Sequence, residues 1–307
     1  MPTFNTPEPI TATLYLAVGD VSITAGDRGD TVVDVRPSDS SQEPDVRAAE
    51  QTRVEYAAGS LLVKSPKQRG LGLRKVGSIE VTIELPAGSQ LEGDASMAAF
   101  RCVGRLGGCR VKTSIGDLQL DSTGKLDLTT GVGAIVVNQV AGEAEVTIGS
   151  GKLRVRQIDG AAVIKNSNGD SWIGEISGDL RVHASNGDIV VDDAGADVIG
   201  ATANGDIRIG GVTRGSASLK TGMGRIEIGI RSGTAARLDV HTSFGKVLNQ
   251  MDTAGSPESS DQRIDVRART SYGDILIRRS SARSQAAPDP AAPNPTTPNS
   301  TMRKEQQ

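Results

Sequence analysis

Acid–base or nucleophilic catalysis needs a histidine, a thiol, a hydroxyl or a pair of carboxylates held close together. This chain offers few of them. Its two histidines, His183 and His241, each follow a valine (Val182, Val240) in an alternating run. Alternation puts both on the outward side of a strand, a solvated position. Cys102 and Cys109 are the two cysteines, too few for a structural zinc site. They read as small buried residues without a standing disulfide. The carboxylates are more regular. Asp117, Asp170, Asp188, Asp206 and Asp274 each directly follow a glycine and would stack along one edge if those glycines were structurally equivalent. Calcium-binding repeats also stack carboxylates, but through Gly-Gly-x-Gly-x-Asp loops. Here the Asp follows a single glycine, Ala134 and Lys152 interrupt the series, and Lys152 and Arg225 bring cations into it. The aspartates therefore read as turn formers, with calcium disfavoured, and no catalytic, cofactor or metal site is expected.

The element that positions all of these is a repeat. Asn168-Gly169-Asp170, Asn186-Gly187-Asp188 and Asn204-Gly205-Asp206 recur 18 residues apart. The glycine series extends from Gly116 through Gly133 and Gly151 to Gly224, with looser copies at Gly245 and Gly273. Two residues after the glycine stand Leu118, Ile135, Leu153, Ile189, Ile207 and Ile226. Four after stand Leu120, Val137, Val155, Ile173, Val191, Ile209 and Ile228. A second alternating run in each period contains Val146, Ile164, Val182 and Leu219. Period-two alternation is strand grammar, and Gly with Asn or Asp is turn grammar. Neither strand buries its apolar side alone, so equivalent strands must stack on successive turns, as in a parallel β-solenoid. Antiparallel hairpins would not force the same offsets to recur. Aromatic residues at 2% of the chain and 37 glycines suit the narrow core this makes.

In chain order, residues 1–92 lack the repeat and read as an N-terminal β cap. Strands are expected over 10–36, 53–56, 61–64 and 78–85, with one short helix at 43–52. Lys64–Val76 is a basic, glycine-containing connection, read as solvated and not as an anion site. Residues 93–279 are the solenoid, about nine rungs, with the polar stretch 252–262 bulging from a late rung. Residues 280–307, rich in Pro, Ala and Ser, cannot bury apolar surface and read as a disordered tail. The net charge of −3 without a basic cluster argues against nucleic acid. The absence of a charged start and of a long apolar run argues against export and membrane insertion, giving a cytoplasmic expectation.

Several of these stretches resemble one bacterial family. Thr6-Pro7-Glu8-Pro9-Ile10, Val18-Gly19-Asp20-Val21, Leu85-Pro86-Ala87-Gly88 and the Asn-Gly-Asp repeats are similar to β-strand-repeat proteins known as putative adhesins, a domain of unknown function. The resemblance covers about residues 3–280. It implies a β-solenoid, brings no established activity and supplies no functional residues.

The functional expectation is a non-catalytic binding or scaffolding module for an unknown protein partner or for self-association. A self-assembling scaffold of the bactofilin type is the alternative. A polysaccharide-acting β-helix enzyme would need clustered outward Asp, Arg or aromatic residues. The candidate contact face centres on Trp172, the only tryptophan, in the outward slot three residues after Gly169. Val136, Arg154 and Val190 hold the same slot in neighbouring rungs. The indole either stands out towards a partner or lies down over its neighbours or under the cap.

Overall fold

The computed structural model describes residues 1–66, 76–251 and 262–280. Lys67, Arg69, Arg74 and Lys75 of the basic connection, the polar stretch 252–261 and the tail after Ser280 lie outside the described residues.

The chain begins with β1 (Thr3–Asn5), β2 (Thr11–Gly26), β3 (Asp30–Pro37), the helix α1 (Glu43–Glu50), β4 (Arg53–Ala57), β5 (Ser60–Lys64) and β6 (Ile79–Pro86). Two long strands follow, β7 (Gln90–Ile115) and β8 (Leu118–Val132). Shorter strands then alternate between two sheets. The front sheet takes β9 (Ile135–Val140), and the back sheet takes β10 (Ala144–Ser150). In the same alternation come β11 (Leu153–Ile158), β12 (Ala162–Asn168), β13 (Ser171–Ile176), β14 (Leu180–Asn186), β15 (Ile189–Ala194) and β16 (Val198–Asn204). Next are β17 (Ile207–Val212), β18 (Gly215–Met223), β19 (Ile226–Arg231), β20 (Thr234–Phe244), β21 (Val247–Gln250), β22 (Gln262–Tyr272) and β23 (Ile275–Ser280).

Every pairing between rungs is parallel, and the register follows the repeat. Val155 lies between Val137 and Ile173, and Ile164 lies between Val146 and Val182. All seven residues four places after the repeat glycine are buried, Leu120 at 2% exposure being the most open. Each such aliphatic side chain is worth roughly 1.5–3 kcal/mol when taken fully from water. The solenoid is the fold, as the spacing predicts.

The corners carry their own hydrogen bonds. The N–H of Gly151, Gly169 and Gly187 donates to the carbonyl of Asn168, Asn186 and Asn204, one rung on. An inward threonine three places before the glycine satisfies the glycine carbonyl of a neighbouring rung: Thr221 donates to Gly205 O at 3.0 Å and Thr270 to Gly224 O at 3.0 Å. In one rung Asn166 takes that place and donates to Gly151 O and to Gly169 O.

One expectation about organisation changes. A boundary at 92/93 would fall inside β7, and β2 already pairs in parallel with β7 from Thr11 to Ala25. The beginning of the chain is therefore stacked on the solenoid in the same sense. It becomes antiparallel only further out, where β3 pairs with β6 and β1, and β4 with β5.

At the other end the rungs do not follow sequence order. β22 pairs with both β18 and β20, and β23 pairs with both β19 and β21. The last rung in sequence thus sits second from the end in space, and residues 234–250 form the terminal rung. The reason lies in the side chains. Ile264, Val266, Ala268, Ile275 and Ile277 are buried at inward places of the inserted rung, with Thr270 at the corner, whereas the 245 copy offers Asn249 at an inward place opposite Ile277. The better apolar copy takes the sandwiched position.

Candidate partner-binding face

On the outer surface of the front sheet, one column runs Gln119, Val136, Arg154, Trp172, Val190, Arg208 and Glu227, each opposite the next in register. The four candidate residues are therefore brought together as nearest neighbours. Val136, Arg154, Trp172 and Val190 are all half-buried.

The indole lies down. The guanidinium carbon of Arg154 is 4.3 Å from its ring centroid, a stacked cation–π arrangement. A Cβ placed on Gly174, two residues along β13, would come within 3.2 Å of the Trp172 ring. The absence of a side chain there lets the ring rest against the sheet. The Trp172 side chain also lies close enough to the carboxyl of Asp192 on β15 to act on its titration, and an indole nitrogen can do so only as a donor. Partial burial pushes the Asp192 carboxyl up from its ordinary value, while Trp172 and the charges of Arg208 and Arg154 work against that shift. The ring is thus held by its neighbours and is half-buried. Gly174 and Asp192 were not singled out from the sequence. Both stand five places after a repeat glycine, the next outward slot beyond the tryptophan.

Charged groups continue beside it. Arg278 donates to Glu227 at 2.8 Å, with Arg208 3.8 Å from the same carboxylate oxygen. Asp193 pairs with Arg231. The column is therefore an apolar and aromatic centre edged by ion pairs.

The other candidate groups are dispersed. His183 and His241 are exposed on the back sheet, where His183 lies between Lys165 and Ala201. Cys102 and Cys109 are free and buried. Burial, and then Asp121, push the Cys102 thiol up to about 12, and burial likewise holds the Cys109 thiol well above its ordinary value, so neither is a ready nucleophile. The aspartates serve the main chain. Asp117 accepts from Ala134 N at 2.7 Å, Asp188 from Asp206 N at 2.8 Å, Asp206 from Arg225 N at 2.7 Å and Asp274 from Lys246 N at 2.8 Å. Each carboxylate caps the same position of an adjacent rung. Among the described residues no group of three or more His, Cys, Asp or Glu could hold a metal ion, and no helix is long and apolar enough to cross a membrane.

A stacked parallel solenoid with this corner repeat can be compared with known families. The model of the Toastrack family, DUF4097, matches residues 12–281. The chain belongs to the Toastrack family. Among solved structures, similarity extends to a putative adhesin from Bacteroides fragilis, at 15% identity and TM-score 0.34, over 90% of this chain and 95% of that one. A putative lipid binding protein from Parabacteroides distasonis shares 11% identity at TM-score 0.38, over 90% and 96% of the two chains. A putative cell adhesion protein from Clostridium sporogenes shares 13% identity at TM-score 0.23, over 91% and 98%. No curated protein matches this chain. These likenesses bring no partner and no activity to this Toastrack protein.

Proposed function

We propose that this Toastrack protein is a non-catalytic, adhesin-like binding module whose front sheet docks a protein partner over Val136, Arg154, Trp172 and Val190. One observation carries the reading: a stacked Arg–Trp pair, flanked by two valines, lies flat on a regular strand surface with ion pairs at its margin. Interfaces concentrate Trp and Arg at an apolar centre and keep charges at the rim. Because Arg154 and the sheet at Gly174 already hold the ring, little side-chain freedom would be lost on docking.

The test is affinity capture from cells that produce the protein, comparing the parent with two front variants and one back variant. Trp172→Ala and Val190→Glu should each remove the same captured protein. Lys165→Glu on the back sheet should leave it in place. Capture that survives both front changes, or is lost with the back change, would refute the assignment.

A further inference from the structure

The exchange of the last two rungs leaves β20 at the end of the back sheet, with β22 on one side and no strand of the described chain on the other. Its inward side chains are only half covered. Leu238 stands in the column of Val266 and Ala217, each 1% exposed, yet Leu238 and Val240 remain partly open. Phe244, Val247 and Leu248 on the same rung are 65%, 42% and 45% exposed. The main chain is unpaired too. In the preceding rungs of this column the inward residue donates to the rung beyond it, Ala144 N to Ala161 O, Ala162 N to Asp179 O and Leu180 N to Asp197 O, so the same alternation turns the N–H and C=O of Ala236, Leu238 and Val240 towards the open side.

The beginning of the solenoid is built differently. There the outermost strands are β1, of three residues, and β4, of five, both antiparallel to their neighbours. Short edge strands discourage further pairing, and β20, with 11 residues, has no such device.

We propose that β20 is a two-fold interface joining two copies of this chain edge to edge. The strand is self-complementary. With Leu238 opposite itself in an antiparallel pair, Arg237 faces Asp239 of the partner subunit, and the reverse pair forms by symmetry. Ala236 then faces Val240 of the partner subunit. Registers centred on Arg237 or Asp239 place like charges opposite each other, which is unfavourable. Asp239 already receives Arg269 from β22 at 3.0 Å, so its carboxylate would lie between two guanidinium groups. A head-to-tail filament would need a second end complementary to this one, and the short antiparallel strands at the beginning do not supply it. A two-fold contact uses one patch twice and closes at the dimer.

The geometry has a consequence for binding. A two-fold axis normal to the back sheet leaves both front sheets facing the same way. The two Trp172 faces would then engage a repetitive surface together, with the gain in avidity of a bivalent binder. That consequence rests on the proposed front face; the dimer itself does not.

Sedimentation velocity on the full chain over a range of concentrations tests it. The expected result is a monomer–dimer equilibrium with no larger species. Arg237→Asp should weaken the dimer on the order of tenfold or more, because both cross-strand pairs become like-charged. Asp239→Arg should do the same, while the double exchange Arg237→Asp with Asp239→Arg should restore the dimer. All three lie on exposed positions, so circular dichroism and melting should match the parent. A monomer at every concentration, a ladder of larger assemblies, or a dimer indifferent to both single changes would overturn the proposal. Loss of partner capture in Trp172→Ala with an intact dimer would count against the front face alone.

Discussion

Gly187→Ala should be among the most damaging single methyl groups that can be added to this protein. Gly187 turns the corner between β14 and β15 at φ +130°, and an added Cβ would lie 2.2 Å from the carbonyl oxygen of Gly169 and 2.5 Å from its carbonyl carbon. Both atoms are backbone of the adjacent rung, so no side chain can swing away. The rung must open or the corner must change conformation. Backbone strain of this kind costs about 1–3 kcal/mol, and the displaced neighbour adds a comparable amount, giving roughly 3–5 kcal/mol in total. For a folded body of this size that corresponds to a fall in Tm of roughly 6–15 °C. Gly26→Ala is the matched control, since a Cβ there meets nothing within 4 Å, and its effect should stay within about 0.5 kcal/mol. The assay is thermal melting followed by circular dichroism, with amide hydrogen exchange to locate the damage at the 185–190 corner. If Gly187→Ala melted with the parent, the close stacking of corner on corner would be wrong.

Three further outcomes follow from the same geometry. Val191→Asp, at a position with 0% exposure, buries an unpaired charge and should cost several kcal/mol, about 3–5, read from chemical denaturation. Asp188→Ala removes the carboxylate that accepts Asp206 N and should cost about 0.5–1.5 kcal/mol, while millimolar calcium or a chelator leaves the parent's Tm unchanged. Asp192→Asn keeps an acceptor for the Trp172 indole and removes a carboxyl whose titration lies above its ordinary value. A carboxyl raised on folding favours the native state most below its unfolded value and loses that contribution as pH rises through the folded one. The Asn variant should therefore gain on the parent between acidic and neutral pH, and a Tm difference that is constant with pH would contradict this.

The rungs were legible in the sequence because nearly all obey one local rule: glycine at the corner, apolar residues two and four places on, alternation between, with Ser171 the exception in its rung. Leu118 to Ile228 followed that rule and were found where it put them. The order of the last two rungs was not legible from spacing, since either order preserves the period. The signal was in composition: Asn249 stands where every other rung has Ile, Val or Leu, which only a terminal rung tolerates. The continuity of β2 with β7 was hidden for a similar reason, because their 79-residue register offset (Thr11 opposite Gln90) spans α1 and four strands and breaks the period. At the candidate face, alternation placed Trp172 on the outer surface correctly. It could not say that the ring lies flat, because that depends on Gly174 in its own strand and on Arg154 one rung before.

The front face is the centre of this account, and site-specific photo-cross-linking in producing cells tests it most directly. A photoreactive residue at Val190, beside Trp172 on the front sheet, is compared with one at His183 on the back sheet; both positions are accessible and neither is needed for the core. The expected result is a discrete cross-linked protein species from position 190 and none from position 183. The same species from both positions, or from position 183 alone, would contradict it.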